Sequence, residues 1–158
     1  MPVSRGNNLT LQMMCRKFLI LLKVSRPPLW IALPLVFLMG LAYGQRGLTG
    51  PSFHFTPLMI FQMFMLSFPI CLFTFGLNDV YDYASDQLNP RKKGIEGIIL
   101  ESRYHRMVKI AALGMGIVFL CVSAATANLA NIYFAVTLLC LSYVYSTPPW
   151  RLKIRPPF

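Results

Sequence analysis

The stretch from Pro57 to Leu77 carries no charged residue over 21 positions. About 20 apolar residues are what a helix needs to cross the hydrocarbon core of a bilayer. In that medium every backbone N–H and C=O must find a partner within the protein, so only helices and closed barrels span it. Further apolar runs stand at about Pro28–Tyr43, Met107–Ala127 and Ile132–Thr147. The alternating pattern of a membrane barrel is absent. Composition agrees, with 56% hydrophobic residues in 158 and a mean hydropathy of +0.56. The expected fold is an all-α membrane protein of about four transmembrane helices. Pro34 and Pro69, inside the first and second runs, are expected to kink them.

Charge then orients the chain. Fifteen Lys and Arg stand against five acidic residues, for a net charge of +10. The basic residues are dispersed at the ends of the apolar runs, which argues against a nucleic-acid partner and for a topological use. Five precede the first span, one (Arg46) lies between the first and second, six lie between the second span and the start of the third, none separates the third from the fourth, and three follow. The positive-inside rule therefore places both ends, and the segment after the second span, in the cytoplasm of an integral cell-membrane protein. Residues 1–26 read as a basic interfacial segment, mobile at its start. Phe18–Leu22, with Arg16, Lys17 and Lys23, makes an amphipathic lead-in that lies on membrane lipid. Residues 27–158 read as the transmembrane domain. The four cysteines lie far apart in sequence and form neither a disulfide framework nor a zinc pattern. They read as small buried apolar residues.

Three of the five acidic residues, Asp79, Asp82 and Asp86, directly follow the uncharged run. If the helix continues, Asn78, Asp79, Asp82 and Asp86 fall at spacings that share one face. Clustered carboxylates at a helix C-terminus repel one another and oppose the dipole. Such a cluster calls for a bound cation, and a hard divalent ion with oxygen ligands suits it. Mg²⁺ is commonly held by a few carboxylates together with substrate phosphates. Arg91, Lys92 and Lys93 follow closely and either neutralise phosphate or act as a topology signal that touches anionic headgroups. A diphosphate at the membrane surface with a hydrocarbon tail in the bilayer describes a prenyl diphosphate. The plainer reading is a solvated acidic helix end. Glu96 and Glu101 read as salt-bridge partners in the polar segment, His54 and His105 as structural, and Gly114 and Gly116 as sites of close helix packing.

The run Asn78-Asp79-Val80-Tyr81-Asp82-Tyr83-Ala84-Ser85-Asp86 resembles the NDxxDxxxD motif of the UbiA superfamily of intramembrane prenyltransferases. Ser25-Arg26-Pro27 before the first span and Tyr145–Pro157 after the fourth resemble the same family. Asn89–Gly94 with Glu96-Gly97 look most like its lycopene elongase branch. The resemblance runs from about Arg26 onward. It implies that Asp79, Asp82 and Asp86 bind Mg²⁺ and act in catalysis, and that Asn78, with Arg91, Lys92 and Lys93, binds the substrate diphosphate. It further implies that diphosphate departs to give an allylic carbocation-like species, whose C1 is attacked by a hydrophobic acceptor. That acceptor is a carotenoid, a quinone precursor or a lipid. The family has about nine spans and a second aspartate-rich motif, whereas no acidic residue follows Glu101 here. The expectation is a fragment that cannot complete the site alone, or a chain complemented by a second one. The competing reading is a non-catalytic membrane module that binds metal and prenyl diphosphate.

Overall fold

A computed structural model describes residues 4–44, 56–89 and 98–154. These form helices α1 (Ser4–Val24), α2 (Ala32–Gly44), α3 (Pro57–Met65), α4 (Phe68–Tyr81), α5 (Tyr83–Asp86), α6 (His105–Ala125) and α7 (Leu129–Ser146). Short 3₁₀ turns lie at Pro27–Leu29, Ser102–Tyr104 and Leu152–Ile154, and no strand occurs among the described residues. Three segments are long and apolar enough to cross a membrane: Pro57–Tyr81, Ser102–Ala125 and Leu129–Ser146. A fourth follows if Asn8–Val24 and Pro27–Tyr43, bent by 48°, count as one span. The all-helical membrane fold is as expected.

The local details correct several expectations. The basic start is one 21-residue helix, α1, which takes in the amphipathic run Phe18–Leu22 and extends well to its N-terminal side. The chain bends at the Arg26 elbow, and Pro34 adds no kink within α2, because it sits in the first turn where a missing N–H costs nothing. Trp30 Nε1 ties the elbow by donating to the Ser25 carbonyl and hydroxyl, each at 3.1 Å. The disruption expected at Pro69 is present: the span Pro57–Tyr81 is interrupted at Leu66–Ser67, just before the proline, which stands in the first turn of α4. The charge-free turn before the fourth span is a cap. Asn128 Oδ1 accepts from the backbone N–H of Ala130 and of Asn131 at 2.9 and 3.3 Å, satisfying donors that α7 leaves open.

The core forms where α4 meets α6 and α7. Leu66, Ile70, Phe73 and Leu77 pack with Ala112, Phe119 and Ala135, all buried. A second cluster joins Val24 of α1 to Leu72, Val80, Leu100 and Val108. At the end of the bundle distant from the aspartates, Gln62 and Asn131 exchange hydrogen bonds of 2.5 and 3.1 Å, and Asn131 also donates to Thr126 Oγ1 at 2.9 Å. Amides inside apolar helices need such partners. Of the cysteines only Cys71 is buried; Cys15, Cys121 and Cys140 are exposed on the chain, which corrects the expectation of four buried residues.

The two glycines of α6 separate clearly. A Cβ on Gly116 would stand 2.7 Å from the Phe73 ring, whereas one on Gly114 meets nothing within 4 Å. Gly116→Ala is therefore expected to destabilise the fold by about 1–3 kcal/mol through overpacking. Gly114→Ala should stabilise it by up to about 1 kcal/mol through helix propensity. Unfolding in detergent, followed by helical ellipticity, checks both; equal effects would remove the close α4–α6 contact from the account.

Candidate functional site

The C-terminal end of α4 carries Asn78 and Asp79, and backbone bonds continue past it. The Asp82 N–H donates to the Asn78 carbonyl at 2.9 Å and the Asp86 N–H to the Asp82 carbonyl at 2.8 Å. Asp82 itself has φ −94° and ψ 1°, which separates α4 from the single turn of α5. The expected continuous helix is thus interrupted at Asp82, while the four-residue spacing of Asn78, Asp82 and Asp86 is kept.

Each carboxylate on the last turn of α4 is met by cations from distant parts of the chain. Arg26 Nη2 lies 3.1 Å from Asp79 Oδ1, with the Asp79 side chain fully buried. The same guanidinium lies 4.4 Å above the Phe75 ring, a cation–π contact. Arg151 Nη2 donates to Asp82 Oδ1 and to the Tyr81 carbonyl, both at 3.1 Å. Lys153 Nζ donates to Asn78 Oδ1 at 2.7 Å and forms a close ion pair with Asp82 Oδ2. Ser146 Oγ sits 3.5 Å from Asn78 Oδ1, and Lys109 Nζ lies 5.2 Å from the Tyr81 ring centre. Asp86 is buried on α5.

Arg26 and Arg151 adopt left-handed backbone conformations, with φ of 54° and 37°. For a residue with a Cβ this costs on the order of 1–3 kcal/mol and persists only where the surroundings impose it. Both strained arginines end on a motif aspartate. Arg26, Arg151 and Lys153 were read from sequence as orientation signals only. The visible hint was that their flanking segments, Ser25-Arg26-Pro27 and the tail after Tyr145, carry the same family resemblance as the aspartates.

The other expected site residues divide. Asn78, Asp79 and Asp82 come together, whereas Arg91, Lys92 and Lys93 lie outside the described residues, as do Glu96 and His54. Glu101 pairs with Arg103 at 2.6 Å and with Arg16 at 3.8 Å, as expected of a salt-bridge residue. His105 bonds the Leu100 carbonyl at 3.0 Å and packs edge-on against Tyr83, a structural role.

Among the described residues no three Asp, Glu, His or Cys side chains gather into a metal cage. The donors are nevertheless hard oxygens, and Mg²⁺ is ordinarily held by one or two carboxylates with phosphate oxygens completing the shell. Asp79 and Asp82 fit that arrangement. Beside them runs an apolar slot of about 290 Å³ lined by Leu29, Leu33, Cys71, Thr74 and Phe75. Leu33 also lines the next cavity, about 250 Å³, which reaches Asn131 at the far end of the bundle. Phe75, the ring under the Arg26 guanidinium, is the wall of the slot nearest in the chain to Asn78 and Asp79.

These features define a class: a helical protein with three to four candidate membrane spans and a buried cluster of carboxylates and cations at the end of one of them. The chain is 32% identical over 140 residues to a lycopene elongase/hydratase of Halobacterium salinarum, covering 88% of this chain and 48% of the relative. It is 31% identical over 144 residues to a lycopene elongase/hydratase of Corynebacterium glutamicum, covering 90% and 47%. A C(50) beta-cyclic carotenoids biosynthesis protein of a Dietzia species is 32% identical over 131 residues, covering 82% and 28%. The chain thus spans about half the length, or less, of these curated relatives. No family model and no solved structure matches it.

Proposed function

We propose that this sequence carries the diphosphate-binding part of a Mg²⁺-dependent prenyltransferase of UbiA type, and that its hydrophobic acceptor is a carotenoid. The observation that carries the reading is the placement of Asn78, Asp79 and Asp82 within one turn, beside Phe75 and the apolar slot that it lines. The carotenoid acceptor rests on the relatives, which are lycopene elongase/hydratases and a carotenoid biosynthesis protein.

In this reading the slot holds the prenyl tail and excludes water from it. Asp79, Asp82 and Asp86 face the head group, and Asn78 orients it. Arg91, Lys92 and Lys93 supply further cationic contacts to the diphosphate. Bound Mg²⁺ would neutralise charge on the departing diphosphate. The C1–O bond breaks with its electron pair staying on diphosphate, a new bond forms from the acceptor to C1, and the acceptor gives up a proton. Both ends of the chain and the aspartate cluster face the cytoplasm.

The test joins this chain to the C-terminal half of the Halobacterium relative and supplies its membranes with lycopene, a prenyl diphosphate and Mg²⁺. Lycopene enlarged by prenyl units is expected, and chelation of Mg²⁺ should prevent it. Absence of product, while the relative's own two halves work in parallel, would sink the proposal. The absence of a three-ligand metal cage among the described residues favours a second reading, a non-catalytic module that binds diphosphate lipid. Such a module would bind prenyl diphosphate equally well with and without Mg²⁺.

A further inference from the structure

The ion pairs on Asp82 point to a device beyond simple ligation. We propose that Arg151 and Lys153 form an internal counter-ion latch that keeps free divalent metal off Asp82 and couples metal binding to diphosphate binding. The proposal rests on the prenyltransferase reading above.

Both Asp82 oxygens are occupied, Oδ1 by Arg151 and Oδ2 by Lys153. The two cations come from the turn that follows α7, about 70 residues along the chain, so the contact is built by the tertiary fold. The geometry is enforced. Arg151 holds φ at 37°, its guanidinium is braced on the Tyr81 carbonyl, and Lys153 is braced on Asn78 Oδ1. A backbone held off its ordinary minimum persists only where its surroundings impose it, and here the Tyr81 and Asp82 contacts do so. Side-chain exposure is 14% for Asp82 and 12% for Lys153, so bulk water screens the pair little.

A divalent ion coordinating a carboxylate sits about 2.1 Å from its oxygen. At Asp82 that position lies against a guanidinium and an ammonium. Among the described residues three cations, Arg26, Arg151 and Lys153, touch two carboxylates, Asp79 and Asp82. A bare divalent cation at Asp82 must therefore displace two cations already bound to it. A metal that arrives with a diphosphate brings anionic oxygens, and Arg151 and Lys153 exchange Asp82 for them. Metal and diphosphate then bind cooperatively, and thermodynamic linkage makes the coupling the same from either side.

The experiment titrates Mn²⁺, as a paramagnetic stand-in for Mg²⁺, into the full chain in lipid nanodiscs, with and without inorganic pyrophosphate. The nanodiscs are sedimented from each mixture and the Mn²⁺ that comes down with them is released in acid and counted by its electron paramagnetic resonance signal, so that Mn²⁺ held by pyrophosphate in solution is not counted. In the unaltered chain Mn²⁺ alone should bind weakly and pyrophosphate should tighten it. Arg151→Gln and Lys153→Gln should each strengthen binding of Mn²⁺ alone, by about fivefold or more, the low end of ordinary coupling between two ligands, and shrink the pyrophosphate enhancement. Two separate variants guard against one failing to fold, and far-ultraviolet ellipticity screens both. Unchanged or weaker Mn²⁺ binding in the variants, with pyrophosphate still recruiting Mn²⁺ to the unaltered chain, overturns the latch and leaves the prenyltransferase reading intact. No Mn²⁺ uptake by any form, even with pyrophosphate, overturns both.

Discussion

Arg26→Ala is expected to destabilise the protein by about 3 kcal/mol or more, because it removes the guanidinium from a carboxylate with no solvent exposure. Attraction between the charges is not the main reason. Asp79 has already lost its water, so removing the Arg26 contact takes away part of what offsets the desolvation of a buried carboxylate. Arg26 also gives up its place over Phe75, which lines the apolar slot. Its left-handed backbone returns some free energy when relaxed, so Arg26→Gly should lose less than Arg26→Ala. The double change Arg26→Met with Asp79→Leu removes both charges and keeps volume, and it should recover most of the stability. Detergent-induced unfolding of the four proteins checks the series. Arg26→Ala as stable as the unaltered chain would show that the pair contributes nothing to holding the α1–α2 elbow against α4.

Such pairs mark the limit of what the amino-acid order makes visible. The spans around Pro57–Tyr81, His105–Ala125 and Leu129–Ser146 were legible because a long uncharged run has few alternatives in a bilayer. The aspartate cluster was legible because acidic residues are scarce and three of five fall together. An interruption near Pro69 was legible, but its exact place at Leu66–Ser67 was not, since a proline fixes only that the helix is disturbed in the turn before it. Pro34 is ambiguous in the same way, and it stands in the first turn of α2 instead of kinking a span already under way. The counter-ions were hidden differently. Arg26 lies 53 residues from Asp79, and Arg151 lies 69 from Asp82. Periodicity reports which residues share a face, not which helix that face meets. A basic residue at the end of a span satisfies the positive-inside rule whether or not it also touches a carboxylate, so the topological reading of these cations was complete without the electrostatic one.

Asp82→Asn is expected to abolish prenyl transfer in the joined, full-length form, with a loss on the order of 10²–10³-fold or more, the scale for removing one preorganised electrostatic contact. The amide has nearly the carboxylate's shape, so the change is chiefly one of charge. One oxygen can still accept from Lys153 or Arg151, but the Nδ2 donor must then face the other cation. Asp82→Glu keeps the charge and shifts it by one methylene, so it should retain part of the activity. Glu101→Gln, which alters only the exposed pairs with Arg16 and Arg103, should leave transfer unaffected. Product formation per unit of membrane protein, with expression matched by immunoblot, distinguishes these outcomes. Wild-type turnover by Asp82→Asn would remove this residue from the chemistry. The same variant also bears on the latch. Removing the anion should weaken Mn²⁺ binding, whereas removing either of its cations should strengthen it. A carboxylate held in reserve for a metal requires those opposite signs on one readout. A purely structural ion pair would leave Mn²⁺ binding unmoved by all three changes.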